Sequence, residues 1–331
     1  MHTAPDSSLQ YSILNPTGNI TALVESPVPI KMQPSAATEI MQRHPEVEQV
    51  GFVTYENLPV HGTSGEALPV LGSQGEILPV HGSHGETRPV HGSLRMAGGE
   101  FCGNATMSAA ALYLLRHHTK KPAASEIEYC VHLRVSGADE PVEVRLKQEN
   151  QPETPVQTQG IPVRARTSFL ASVHMPRPLS IAETTFSHGG VTGTLPFVRM
   201  RGISHVLIEP HTPFFRLRAD RTDAGHAIRE WCSLLEADGL GLMFLEHVST
   251  ETRLTPLVYI PGSGTMFWEN SCASGSSAVG MILAARAGKT LRLPLHEPGG
   301  ILSVTSDPDT HETWLSGRVN LVTEITPDAA I

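Results

Sequence analysis

Cysteine is scarce in this sequence, with four in 331 residues. Four cannot staple a chain of this size into a disulfide framework. The fold must therefore rest on a buried core, which a chain this long can build unaided. The thiols are expected to be reduced. Basic charge is also short: 24 Lys and Arg stand against 33 Asp and Glu, a net charge of −9. That balance argues against nucleic-acid phosphates as a partner. No stretch approaches the roughly 18 consecutive apolar residues of a membrane span, so no membrane partner is expected. The opening MHTAPDSSLQYSILNP has no basic segment followed by an apolar core. It does not read as a secretory signal, and a cytoplasmic enzyme is expected. Hydrophobic residues at 40% and charged residues at 17% fit an ordinary globular protein. At roughly 100–200 residues per domain, the length suggests two domains.

Strand candidates run through the whole chain. YSILN (11–15), IEYCVHLRVSG (127–137) and PVEVRLKQE (141–149) lead. ASVHMP (171–176), FVRMRGISHVLIEP (197–210), TRLTPLVYI (252–260), ILSVTS (301–306) and RVNLVTEI (318–325) follow. Alternation and β-branched content carry these assignments. DAGHAIREWCSLLEADG (223–239) reads as an amphipathic helix with a glycine stop. Many strands with few helices predict a mixed α/β (α+β) fold. The Pro- and Gln-rich NQPETPVQTQGIPV (150–163) reads as a linker.

Residues 58–93 hold a repeat with a period of ten: LPVHGTSGEA, LPVLGSQGEI, LPVHGSHGET and RPVHGS. Each unit has too little apolar surface to stack into a core. An expanded surface loop outside the chemistry is expected. His61, His81, His84 and His91 make a metal-binding tract the other reading, though no dense set of acids or cysteines accompanies them.

Chemistry concentrates in GGEFCGNATMSAAALYLLR (98–116) and WENSCASGSSAVGMILAAR (268–286). Aligned on Cys102 and Cys272, both continue in small residues, and Arg116 and Arg286 each stand fourteen positions on. The same element is written twice, and each copy reads as a tight turn entering a buried helix. Small residues admit close backbone approach. The free N–H groups and dipole of a helix start attract a carboxylate. A cysteine there is expected to have its pKa lowered from about 8.5. Two such starts facing each other would clamp one α-carboxylate and set a sulfur on each face of the α-carbon. One thiolate would take the α-proton and the opposite thiol would return one, inverting the centre. Cys130 and Cys232 have no glycine-rich turn beside them and read as small buried hydrophobes.

With these residues the chain resembles the diaminopimelate epimerase and proline racemase superfamily. EFCGNA and NSCASGSSA resemble its two catalytic cysteine turns, NPTGN its N-terminal substrate loop, and RGISHVLIE a strand end bearing a histidine. The resemblance implies two pseudo-symmetric domains, each a curled sheet around a central helix. Their bounds would be 1–148 with 318–331, carrying the 58–93 insertion, and 149–317. It implies a homodimer and a small amino-acid substrate, with no cofactor and no metal. Cys102 and Cys272 would be the base and acid. Gly103, Asn104, Ala273, Ser274 and Gly275 would bind substrate, with Asn19 touching it, and His205 and Glu269 would tune the thiols. Diaminopimelate epimerase carries an Asn before Pro-His and an Arg ahead of the second cysteine. Here Ile203 and SGTMFWEN (263–270) replace them. The pattern is more similar to histidine racemases that serve opine-type metallophore synthesis, and Phe267 and Trp268 suit a flat side chain. Diaminopimelate epimerase or another amino-acid racemase is the alternative. A thiol redox protein or a metal-binding module are readings of another class, although no Cys-x-x-Cys is present.

Overall fold

The computed structural model describes residues 9–56, 62–63, 89–117, 127–149, 156–158, 161–163 and 167–325. Most of the 58–93 repeat lies outside the described residues, and with it the surface-loop expectation. The first helix, α1 (Gln33–Arg43), links the parallel strands Thr21–Val24 and Gln49–Tyr55. Three more follow: α2 (Gly103–His117), α3 (Arg221–Leu234) and α4 (Ala273–Ala287). Mixed α/β is the observed class.

Eight strands close into a ring. Tyr11–Pro16 pairs with Thr21–Val24, which pairs with Gln49–Tyr55. Gly92–Met96, Glu128–Val135, Val142–Glu149 and Ser168–His174 continue the order. Thr313–Ile325 then joins Ser168–His174 to Tyr11–Pro16 and completes the circle. Helix α2 packs against all eight strands. Its sequence explains why it can sit there. An enclosed helix must be apolar or small on every side, and Gly103 through Leu114 are all buried. Alanines at 105, 109, 110 and 111 keep its diameter small enough for the ring.

The second series of strands runs Ser180–His188, Val191–Arg199, Ser204–Ile208, Leu240–Val248, Glu251–Ile260, Leu291–Glu297 and Gly300–Ser306. It ends on the same Thr313–Ile325 strand. Helix α4 packs on six of these eight strands, and its buried residues are again mostly glycine, serine and alanine. Helix α3 forms the crossover between Ser204–Ile208 and Leu240–Val248, which are parallel. Asp220 caps it by accepting from the Asp223 N–H at 2.9 Å. It stops at Leu234, short of the expected Gly239.

Two readings change here. The expected strand 197–210 is two strands, interrupted around Gly202, whose φ of +80° suits glycine. The expected linker contains a short antiparallel pair, Val156–Thr158 with Ile161–Val163. No described helix is long and apolar enough to cross a membrane.

Candidate active site

The duplicated elements are structurally equivalent. Each cysteine directly precedes a 15-residue helix, α2 after Cys102 and α4 after Cys272. In each, the backbone N–H four residues on donates to the cysteine carbonyl: Thr106 to Cys102 at 2.9 Å and Ser276 to Cys272 at 2.8 Å. The helix starts abut. A Cβ added to Gly103 would lie 2.8 Å from the Cβ of Ala273. That neighbour is fixed to the backbone and cannot swing aside. Gly103→Ala should therefore force the two starts apart, with an overpacking cost of about 1–3 kcal/mol. The expected result is a lower Tm together with lost activity, read by calorimetry and a turnover assay.

Both cysteines open onto one cavity of about 140 Å³, lined also by Gln49, Asn104, Glu269, Ala273 and Ser274. A single water needs only about 10–15 Å³, so the space suits a small metabolite. Its acids are Glu48, Glu100 and Glu269, and no Lys, Arg or His lines it among the described residues. The Cys102 thiol donates to Gln49 Oε1 at 2.7 Å. Gln49 Nε2 donates in turn to Glu269 Oε1 at 3.2 Å. Glu269 also interacts with the Cys272 thiol. One side chain thus spans from the first cysteine to the acid beside the second.

Family comparison follows from this geometry. The model described as "Histidine racemase CntK N-terminal domain" matches residues 83–326. The chain belongs to this family. It is accordingly an isomerase of the racemase class. A histidine racemase of Fusobacterium nucleatum is 27% identical over 323 residues, covering 96% of this chain and 95% of its own. One from Staphylococcus aureus is 26% identical over 325 residues, covering 95% of each. Among solved structures, a predicted epimerase from Pseudomonas aeruginosa has a TM-score of 0.58 at 14% identity, covering 98% of this chain and 100% of its own. A probable proline racemase from Agrobacterium radiobacter has a TM-score of 0.53 at 12% identity, covering 96% and 91%. The two structures share the fold.

The racemase family member departs from several sequence expectations. Neither thiol is acidified by its surroundings. Burial, then the Glu269 and Glu100 charges, push Cys102 up; burial, then Glu269 and Glu297, push Cys272 up. The helix-start N–H groups oppose this, as Ala105 N does at 3.3 Å from Cys102 Sγ. In a closed, dry site desolvation of the anion outweighs them.

Asn19 and Asn104 both donate through Nδ2 to the Ser271 carbonyl, at 2.8 and 3.0 Å. They hold the turn entering Cys272 from the other half of the chain. Each keeps a buried Oδ1 without a partner among the described residues. Gly275 lies behind the second sulfur, where a Cβ would stand 2.1 Å from Met243 Sδ and 3.1 Å from Cys272 Sγ. His205 does not line the cavity. Its ring is buried and burial alone lowers its pKa to about 3, so it is neutral. Phe267 lines the cavity but Trp268 does not. Neighbouring strand residues face opposite ways, and Trp268 stacks on Phe244 at 5.7 Å. Cys232 packs in the core beneath α3, as expected. Cys130 is only half-buried and lies 3.9 Å from His132 Nε2.

The sequence reading missed Gln49, Glu48 and Glu297. Glu297 accepts from the Cys272 N–H at 2.7 Å and from the Ser276 hydroxyl. It caps α4 from a distant strand, and no local motif marks it. Burial raises Glu297 and Glu269 from 4.5 to about 8. Between about 4.5 and 8, the folded chain keeps protons that the unfolded chain has released. These two groups therefore make stability fall as pH rises across that window. Relative to the parent, Glu297→Gln should gain by up to about 1.4 kcal/mol per pH unit. Denaturant melts of both proteins at pH 5 and pH 8 check the direction; a difference independent of pH would exclude it.

Proposed function

We propose that this enzyme interconverts L- and D-histidine by a two-thiol proton transfer, without a cofactor. The observation that carries the reading is the meeting of two cysteine-headed helix starts in one small cavity. Helix-start N–H groups of Gly103, Asn104, Ala273 and Ser274 receive the α-carboxylate, with Gly275 giving the backbone room to turn. The orphan Oδ1 of Asn104, which lines the cavity, accepts from the α-ammonium, and Asn19, which does not line it, acts through the Ser271 turn. The lining carries carboxyl groups and no basic side chain among the described residues, which suits a side chain that is cationic or donates hydrogen bonds, as imidazole does, with Phe267 beside it. A second zwitterion would need a base for its distal carboxylate, and none lines the cavity among the described residues. Diaminopimelate therefore fits less well.

The hydrogen bonds suggest how one thiolate and one thiol arise. Cys102 donates to Gln49 and so stands as the thiol. Glu269 accepts from Gln49 and sits beside Cys272. A bound ammonium group stabilises the Glu269 carboxylate, which takes the Cys272 proton and leaves the thiolate that attacks the α-hydrogen. Cys102 delivers its proton from the opposite face. His205, neutral and buried, acts at most through packing.

The same reading extends to architecture and context. The chain forms two similar halves, 1–148 with 318–331, and 149–317, with the Ser168–His174 strand of the second segment crossing into the ring around α2. The Thr313–Ile325 strand supports that boundary: Thr313–Ser316 pairs with Gly300–Ser306, and Val319 onward pairs with Tyr11–Pro16. The enzyme acts as a cytoplasmic homodimer and supplies D-histidine for metallophore assembly. The test uses protein dialysed free of metal and pyridoxal phosphate. L-Histidine in heavy water should lose optical rotation while the α-position gains deuterium. No exchange with histidine, but exchange with another amino acid, would overturn the substrate. Activity only after a cofactor is added would overturn the mechanism.

A further inference from the structure

Away from the cavity, the Glu128–Val135 strand carries Val131 and Leu133 into the core around α2, both fully buried. Cys130 and His132 project from its other face, since residues two apart share a side. His132 pairs directly with Glu143 on the neighbouring strand. The three side chains converge. Cys130 Sγ lies 3.9 Å from His132 Nε2, and Glu143 Oε2 lies 3.7 Å from the same nitrogen. One ligand atom from each falls within 4.8 Å of the other two. A triangle of that size has a point within roughly 2.5 Å of all three corners. Zinc bonds sulfur, nitrogen and oxygen at about 2.0–2.3 Å, so the side chains need move by only a few tenths of an ångström.

The surroundings hold this set in place. Arg145 Nε donates to Glu143 Oε1 at 2.7 Å and turns Oε2 toward the histidine. The arginine is itself seated over the Trp314 ring at 4.5 Å. The His132 backbone N–H donates to His91 Nδ1 at 3.0 Å, and the two imidazoles stack at 6.0 Å. His132 is 8% exposed, and its Nδ1 has no hydrogen-bond partner among the described residues. A cation on Nε2 would fix the proton on Nδ1. Oriented, pre-placed ligands of this kind raise metal affinity.

We propose that Cys130, His132 and Glu143 bind one divalent transition-metal ion of the zinc class, with water at the fourth position. Sulfur, imidazole and carboxylate donors together favour zinc, cobalt or nickel over calcium or magnesium. None of the three residues lines the catalytic cavity, so the ion is structural. It fastens the outside of the ring that encloses α2. The same strand leads into Ser136, whose hydroxyl donates to the Glu100 carbonyl at 2.8 Å, two residues before Cys102.

Cobalt(II) is the probe, because a thiolate ligand gives it a charge-transfer band that imidazole and carboxylate ligands do not. The full chain, reduced and stripped with chelator, is titrated with cobalt at tens of micromolar. One equivalent should produce the sulfur band with tetrahedral visible absorption, and zinc should displace it. The Cys102→Ser, Cys272→Ser double variant should keep the band. Cys130→Ser, checked by circular dichroism for folding, should lose it. Glu143→Gln should keep the band but weaken cobalt binding at least tenfold. Absence of the band in the parent chain, its survival in Cys130→Ser, or an unchanged affinity in Glu143→Gln would each overturn the site.

Discussion

Cys102→Ser and Cys272→Ser are each expected to lose histidine racemisation by roughly 10³-fold or more. General acid or base catalysis contributes about 10²–10⁴-fold, and serine supplies neither role, because its hydroxyl is far less acidic than a thiol. The two variants should fail differently. With Cys272 left as the base, Cys102→Ser should still exchange the α-proton of one enantiomer in heavy water without inverting it. Cys272→Ser should show that behaviour weakly and with the other enantiomer, because Cys102 has Gln49 rather than a carboxylate beside its sulfur. Proton NMR of each enantiomer separately reads the outcome. Equal wash-out of both enantiomers by either single variant would exclude a one-sulfur-per-face arrangement.

Glu269→Gln is expected to lower kcat/KM by about 10²-fold and to flatten its pH dependence. In the parent enzyme the buried Glu269 titrates near 8. In the proposed mechanism its carboxylate form takes the Cys272 proton, so activity should rise with pH toward that value. The amide keeps the shape and the Gln49 contact but cannot take a proton. A purely structural role would leave the pH profile in place and reduce only its height. Gln49→Leu tests the other end of the same connection. It removes the acceptor of the Cys102 thiol and the donor to Glu269, and should reduce activity while retaining a pH rise set by Glu269. A pH profile unchanged in Glu269→Gln would end the relay reading.

The cavity also bears on specificity. Its titratable lining is acidic: Glu48, raised to about 7 by burial, with Glu100 and Glu269, also raised. Burial raises all three, and a bound cationic group would oppose that shift. Selection by charge thus falls on substrates that bring positive charge or hydrogen-bond donors. That is the opposite of a site built around an arginine for a second carboxylate.

The sequence by itself determined the chemistry-bearing elements and their equivalence. Two cysteines followed by small residues, 170 positions apart, became two helices of equal length with their starts in contact. That was legible because a helix enclosed by strands must be apolar or small on all sides, which leaves a compositional mark within fifteen residues. Strands with strong alternation were legible for the same local reason, and Cys232 packed as its helix pattern implied.

Tertiary structure alone decided the rest. Gln49 and Glu297 reach the cysteines from strands 53 and 25 residues away, and such contacts leave no local signature. The electrostatics were also decided there. A helix start in water favours the thiolate, but here burial and converging carboxylates outweigh the backbone N–H groups. Asn19, read as a substrate contact, spends its amide on the turn before Cys272, 252 residues away. Cys130, read as a packing residue, meets His132 and Glu143 because a two-residue strand period and one cross-strand pairing bring them to a single face. Residue type and spacing specify helix starts and strand faces, whereas the charge a side chain carries depends on what the folded chain brings against it and how much water it removes.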